Sequence, residues 1–129
     1  MIGITATGTI LDQIISGKLR RISDRKNVID IAELSRKAYA RCDKPLNMSA
    51  SLTSDKSLSL IGEIKKASPS KGVICENFNP VTQARAYAKG GAQAISVLTE
   101  QDFFLGSDRY LTDVRDSVSL PILRKDFTI

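Results

Sequence analysis

Glu63 and Lys65 stand two residues apart in Leu58-Ser59-Leu60-Ile61-Gly62-Glu63-Ile64-Lys65. On an extended chain that spacing sends both side chains, with Ile61, to one face, while Leu60, Gly62 and Ile64 take the other. A carboxylate beside an ammonium can pass protons and neutralise an anion. The same spacing suits a structural ion pair, because two charges buried on one face are costly unless paired. Lys125 poses a similar question. In Leu123-Arg124-Lys125-Asp126-Phe127, alternation groups Leu123, Lys125 and Phe127 against Arg124 and Asp126. A Lys among apolar neighbours is suited to general-acid work, whereas one at an exposed strand end snorkels into water. The loop Ser68-Pro69-Ser70-Lys71-Gly72 offers hydroxyls and amides to a carboxylate or phosphate, or is simply a turn. It is not a P-loop, since GxxxxGK[ST] is absent, and so is GxGxxG. Phe103-Phe104 can wall a ligand ring or pack into the core.

The elements that must position these residues fall into two zones. Ile10, Leu11, Ile14, Ile15, Leu19 and Ile22 recur at helical spacing and predict a helix over residues 8–25. Asp30 and Glu33 form a capping-box pattern opening a second helix with Ile31, Leu34, Ala38 and Tyr39, in a region that Pro45 ends. The polar stretch 47–57 is a connection with room for one helical turn. The second zone alternates strand and helix. Residues 58–65 read as a strand, followed by the loop 67–72. Asn79-Pro80 caps a helix over residues 81–89, which Gly90-Gly91 terminates. Residues 92–99 form a second strand and 100–106 a loop. Ser107 caps a third helix bearing Tyr110, Leu111 and Val114, and Pro121 introduces a third strand over 122–127. Strands roughly 30 residues apart suit right-handed crossovers in a parallel sheet. Their nearly continuous apolar runs fit strands covered on both faces. The pattern gives the class α/β but does not choose between an open doubly wound sheet and a closed barrel. On that order, Glu63, Lys65 and Lys125 all fall at the carboxyl ends of parallel strands, where α/β proteins bind ligands.

Composition narrows the chemistry. The 129 residues contain no His, which removes Ser-His-Asp and Cys-His catalysis and His-ligated metals. Cys42 and Cys75 form no CxxC pair and cannot alone fill a zinc site, so no metal is expected. No apolar run approaches a membrane span, and the N-terminus lacks the pattern of a secretory signal. The expectation is a reduced, soluble, cytoplasmic protein without membrane contact. A net charge of +5 admits a nucleic acid, an anionic lipid or a small anionic substrate as partner. The densest basic stretch, Lys18 to Lys26, lies among apolar residues at helical spacing and reads as a solvated helix face. No aromatic residues interleave with it, so nucleic acid is not expected.

Taken together, the segments resemble one family. Ile61-Gly62-Glu63-Ile64-Lys65-Lys66-Ala67-Ser68-Pro69-Ser70-Lys71-Gly72 resembles the first-strand signature of indole-3-glycerol phosphate synthase. Ser96-Val97-Leu98-Thr99-Glu100 with Phe103-Phe104-Leu105-Gly106 resembles its second strand and following loop, and Pro121 to Phe127 its third strand. The resemblance implies a (β/α)8 barrel, with residues 1–57 an N-terminal helical extension and connection and 58–129 the first β-α-β-α-β portion. It implies ring closure of 1-(2-carboxyphenylamino)-1-deoxyribulose 5-phosphate to indole-3-glycerol phosphate, with loss of carbon dioxide and water and no metal or organic cofactor. Lys125 then matches the general acid, Glu63 a carboxylate stabilising the cationic intermediate, and Lys65 the cation meeting the substrate's anionic groups. Ser68, with Pro69 and Ser70, matches a substrate contact, and Phe104 with Phe127 the wall around the aryl ring. Gly62 stands where Ala is commoner, a change expected to cost little.

The family's fourth-strand carboxylate, sixth-strand polar groups and late phosphate loops have no counterpart here. The expectation is an incomplete barrel, inactive by itself, whose open sheet edge invites self-association. The other readings are a non-catalytic interaction fragment pairing through that edge, or another phosphate-binding barrel such as phosphoribosylanthranilate isomerase.

Overall fold

The computed structural model describes residues 5–53 and 58–129, so part of the 47–57 connection lies outside the described residues. The chain divides into two compact units, one up to Lys44 and one from Pro45 to Thr128. In the first unit, α1 spans Ile10–Val28, and Thr9 caps it by accepting a hydrogen bond from the Leu11 amide. It runs past the expected end because Asp24 to Asn27 contain no breaker, and the extended backbone of Ile29 closes it. Arg20, Arg25 and Lys26 lie exposed on it, as a solvated face requires, although Leu19 is exposed as well. α2 spans Ile31–Tyr39, and Asp30 accepts from the Glu33 amide at 2.8 Å. The Glu33 carboxylate pairs with Lys37 one turn later. α2 stops at Tyr39, well before Pro45, so the proline is not its terminator.

The second unit opens with α3, Met48–Thr53, which fills the room left for a helical turn. The Asn47 side chain accepts from the Ala50 amide at 2.9 Å. β1 spans only Ile61–Ile64, shorter than the expected 58–65. Its ladder cannot start earlier, because the Gln93 side chain and amide already occupy the N–H and C=O of Leu60. The expected loop 67–72 is instead a small antiparallel hairpin of β2, Ala67–Ser68, and β3, Gly72–Val73. α4 spans Pro80–Lys89, with Asn79 accepting from the Thr82 amide at 2.9 Å. β4 spans Ala94–Leu98, α5 Asp108–Ser117 with Ser107 as its cap, and β5 Ile122–Lys125. Among the described residues no helix is long and apolar enough to cross a membrane.

β1, β4 and β5 form a parallel sheet in that order. Ile64, Ile95 and Val97 pack with Ala84 of α4 and Val114 of α5, and Tyr87, Tyr110, Leu111 and Ile122 close around them. Both helices therefore cover one face. Sequential strand order with one-sided helices is how a barrel begins, whereas a doubly wound sheet places helices on both faces. β4 is buried at every residue because it has a strand on each side.

Gly62 corrects one expectation. A Cβ built there would lie 2.5 Å from the Tyr87 ring and 3.1 Å from the Tyr87 Cβ. The Tyr87 hydroxyl donates to the Glu63 carbonyl at 3.0 Å, which holds the ring against β1. Gly62→Ala should therefore destabilise this protein by about 1–3 kcal/mol through overpacking. In a Tyr87→Leu background the same substitution should cost much less. Urea unfolding of the single and double variants measures the difference, and equal costs in both backgrounds would remove Tyr87 as the cause.

Candidate active site

Register decides which side chains meet. Glu63 pairs with Ser96, and Ser96 with Leu123. Leu98 pairs with Lys125, and Ile64 with Val97. Leu98 and Lys125 thus form one level at the carboxyl end of the sheet, with Glu63, Ser96 and Leu123 beneath. These five lie on the face opposite the helices, as the alternation in the sequence predicts, and Lys65 follows directly after β1.

Lys65 donates to Oε1 of Glu63 in an ion pair. Their side chains are 32% and 35% exposed, so the pair is not buried and its desolvation cost is modest. Lys125 is exposed, and Leu123 beside it is 47% exposed. Of the two readings left open for Lys125 the exposed one holds, since β5 has a neighbouring strand on one side only. Its backbone is nevertheless fixed, because the Thr99 amide donates to the Lys125 carbonyl at 3.0 Å. The Thr99 hydroxyl donates to Asp126 at 2.9 Å. Arg124, on the helix side, bridges Asp126 and Asp108 at 3.0 Å each. That network ties the ends of β4 and β5 to the first turn of α5.

The hairpin and the loop after β4 meet at this end of the sheet. The Ala67 amide donates to the Phe104 carbonyl at 3.3 Å. Ser68 is half-buried at the base of the hairpin, and its hydroxyl accepts from the Lys71 amide at 3.3 Å. Pro69 and Ser70 stand at the exposed tip. Phe104 and Phe127 face each other with ring centroids 6.3 Å apart, forming a half-buried aromatic pair. A second aromatic pair, Phe78 with Tyr110, belongs to the helix side.

Glu100 builds this loop and has no role in the reading of the sequence. It is 1% exposed, and its carboxylate accepts from the amides of Asp102, Phe103 and Phe104 at 2.8–3.1 Å. The loop then turns through Leu105 at φ 50°. It closes where the Gly106 amide donates to the Glu100 carbonyl at 2.7 Å. A Cβ at Gly106 would lie 2.5 Å from the Leu98 carbonyl oxygen, so only glycine fits. The available signal was a carboxylate directly after a buried apolar run. Glu100→Ala should destabilise the protein by about 2–4 kcal/mol by removing the acceptor of three amides, and Glu100→Gln by less. Hydrogen exchange should show protection lost at the Phe103 and Phe104 amides. Unchanged protection would contradict the anchoring role.

The family model described as indole-3-glycerol phosphate synthase matches residues 11–129. A protein of Desulfotalea psychrophila with that name is 50% identical over 121 residues, covering 93% of this chain and 46% of the relative. One of Alkaliphilus metalliredigens is 46% identical over 120 residues, and one of Ruminiclostridium cellulolyticum 47%, each with the same coverage. The chain thus spans about half the length of the curated relatives it matches. With the match running through both helical and sheet segments, the chain belongs to the indole-3-glycerol phosphate synthase family.

Proposed function

We propose that this chain supplies the first part of an active site that closes the indole ring of indole-3-glycerol phosphate in the cytoplasm, needing no metal or organic cofactor. Residues 1–57 form its N-terminal extension and connection, and 58–129 the first three strands of the barrel. The substrate is 1-(2-carboxyphenylamino)-1-deoxyribulose 5-phosphate. The aryl carbon bearing the carboxylate attacks the ketone carbon. The ketone oxygen takes up a proton and becomes a hydroxyl. The carboxylate leaves as carbon dioxide and its bonding pair returns to the ring. The hydroxyl then takes up a proton and departs as water, and the adjacent ring methylene gives up a proton, leaving its bonding pair as the double bond of the five-membered ring.

Each step needs a group that the first three strands carry. Lys125 protonates the ketone oxygen. Glu63 stabilises the cationic ring after attack and takes part in proton transfer. Lys65 meets an anionic group of the substrate and assists dehydration. Ser68, flanked by Pro69 and Ser70, contacts the carboxylate. Phe104 and Phe127 hold the aryl ring. The observation that supports this reading is the register, which sets Leu98 and Lys125 one level above Ser96 and Glu63 on one face, with Lys65 ion-paired to Glu63. The exposure of Lys125 and the openness of the sheet fit a site whose remaining wall comes from later strands.

A chimera joining this chain to the unmatched later half of the Alkaliphilus metalliredigens relative tests the reading. It should convert the substrate to indole-3-glycerol phosphate, whereas the 129 residues alone should not. Lys125→Ala in the chimera should lower kcat by about a thousandfold with little change in KM, since a general acid acts on charge developing in the transition state. Lys125→Arg should rescue poorly, because a guanidinium does not give up its proton near neutrality. A cooperatively folded chimera without turnover, or a Lys125→Arg variant of near-normal kcat, would contradict the assignment.

Glu63 and Lys65 should be coupled in catalysis as well as in the fold. Glu63→Gln and Lys65→Met should each lower kcat by at least about a hundredfold, and the double variant by less than the product of the two losses. A cycle with coupling in unfolding free energy alone and unchanged kcat would return the pair to a structural ion pair.

A further inference from the structure

Ser96 lies at the centre of β4, 5% exposed, and its hydroxyl is buried without a hydrogen-bond partner. The other buried polar side chains, Thr99 and Glu100, are bonded. A buried hydroxyl without a partner is unfavourable, and an alanine would fill the same place without that penalty. The register names its neighbours on the face opposite the helices. Glu63 and Leu123 stand level with it on β1 and β5. Ile61 and Ala94 lie below, Leu98 and Lys125 above, and Lys65 follows β1 in an ion pair with Glu63. Of these side chains only Glu63 carries an acceptor, because an ammonium donates and the others are apolar. Oε1 of Glu63 holds Lys65, and a carboxylate has room for further donors. Ser96 and Glu63 pair on adjacent strands about 4.8 Å apart, so their side chains are nearest neighbours across this face.

We propose that Ser96 is a positioning residue, its hydroxyl becoming the second donor to Glu63 when the substrate's anionic group draws Lys65 away. The inference rests on the ring-closing reading. No bond to Ser96 forms or breaks, and the hydroxyl keeps its proton. Its effect is to hold the Glu63 carboxylate in place while the ammonium partner is engaged elsewhere. In the resting site Glu63 has Lys65, and Ser96 waits without a partner.

In the chimera, Ser96→Ala should leave Tm unchanged or raised, because it removes the unpartnered hydroxyl. It should lower kcat by about tenfold or more while KM stays within about twofold. In a Glu63→Gln background, Ser96→Ala should cost almost nothing further. An unchanged kcat would overturn the proposal, as would a loss of the same size in the Glu63→Gln background. Failure of the ring-closing reading shows differently, as an inactive parental chimera. The thermal comparison still decides in that case, since a Tm several degrees lower for Ser96→Ala would show a structural bond and overturn the proposal.

Discussion

The register of three parallel strands is the constraint on which the site depends. Glu63 and Lys125 lie 62 positions apart in sequence, and no local preference brings them together. They share one face because Glu63 pairs with Ser96 and Lys125 with Leu98, two residues further along β4. A slip of one residue would turn each side chain to the opposite face and place the charges against Ala84 and Val114. The buried side chains of Ile64, Ile95 and Val97 resist such a slip, since the same shift would turn them away from the helices. Core packing and site geometry are thus two faces of one ladder.

The groups at the carboxyl end are fixed by polar side chains whose work is structural. Glu100 gathers three amides and sets Phe104 opposite Phe127. Thr99, Asp126, Arg124 and Asp108 bind the end of β5 to β4 and α5. These groups let Lys125 stand at an exposed position on a backbone tied to β4 and α5. Preorganisation of this kind matters where charge develops in a transition state, because donors already in place need no rearrangement.

Much of this was legible in the sequence. Alternation alone put Glu63 and Lys65 on one face and Arg124 and Asp126 on the other, and both assignments hold. Asn79-Pro80 and Ser107 located two helix starts because a cap is a local hydrogen bond. Strand ends were misread because they depend on the partner. Leu58 to Leu60 look like strand, yet Gln93 blocks the ladder there. The hairpin of β2 and β3 was hidden because two-residue strands leave no periodicity. The cost of a Cβ at Gly62 was invisible without Tyr87, which lies far along the chain. Alternation left both an enclosed and an exposed Lys125 open, since it says which face a residue takes and not what covers it, and the structure shows the exposed one. Ser96 passed unnoticed within an apolar run because only register shows that Glu63 stands beside it.

The most direct test of the account is a crystal structure of the chimera with indole-3-glycerol phosphate bound. The account predicts the indole ring against Phe104 and Phe127, with Lys125, Lys65 and Glu63 in hydrogen-bond reach of the ligand at the carboxyl ends of β1 and β5. A ligand bound on the helix side, or at the amino ends of the strands, would contradict it.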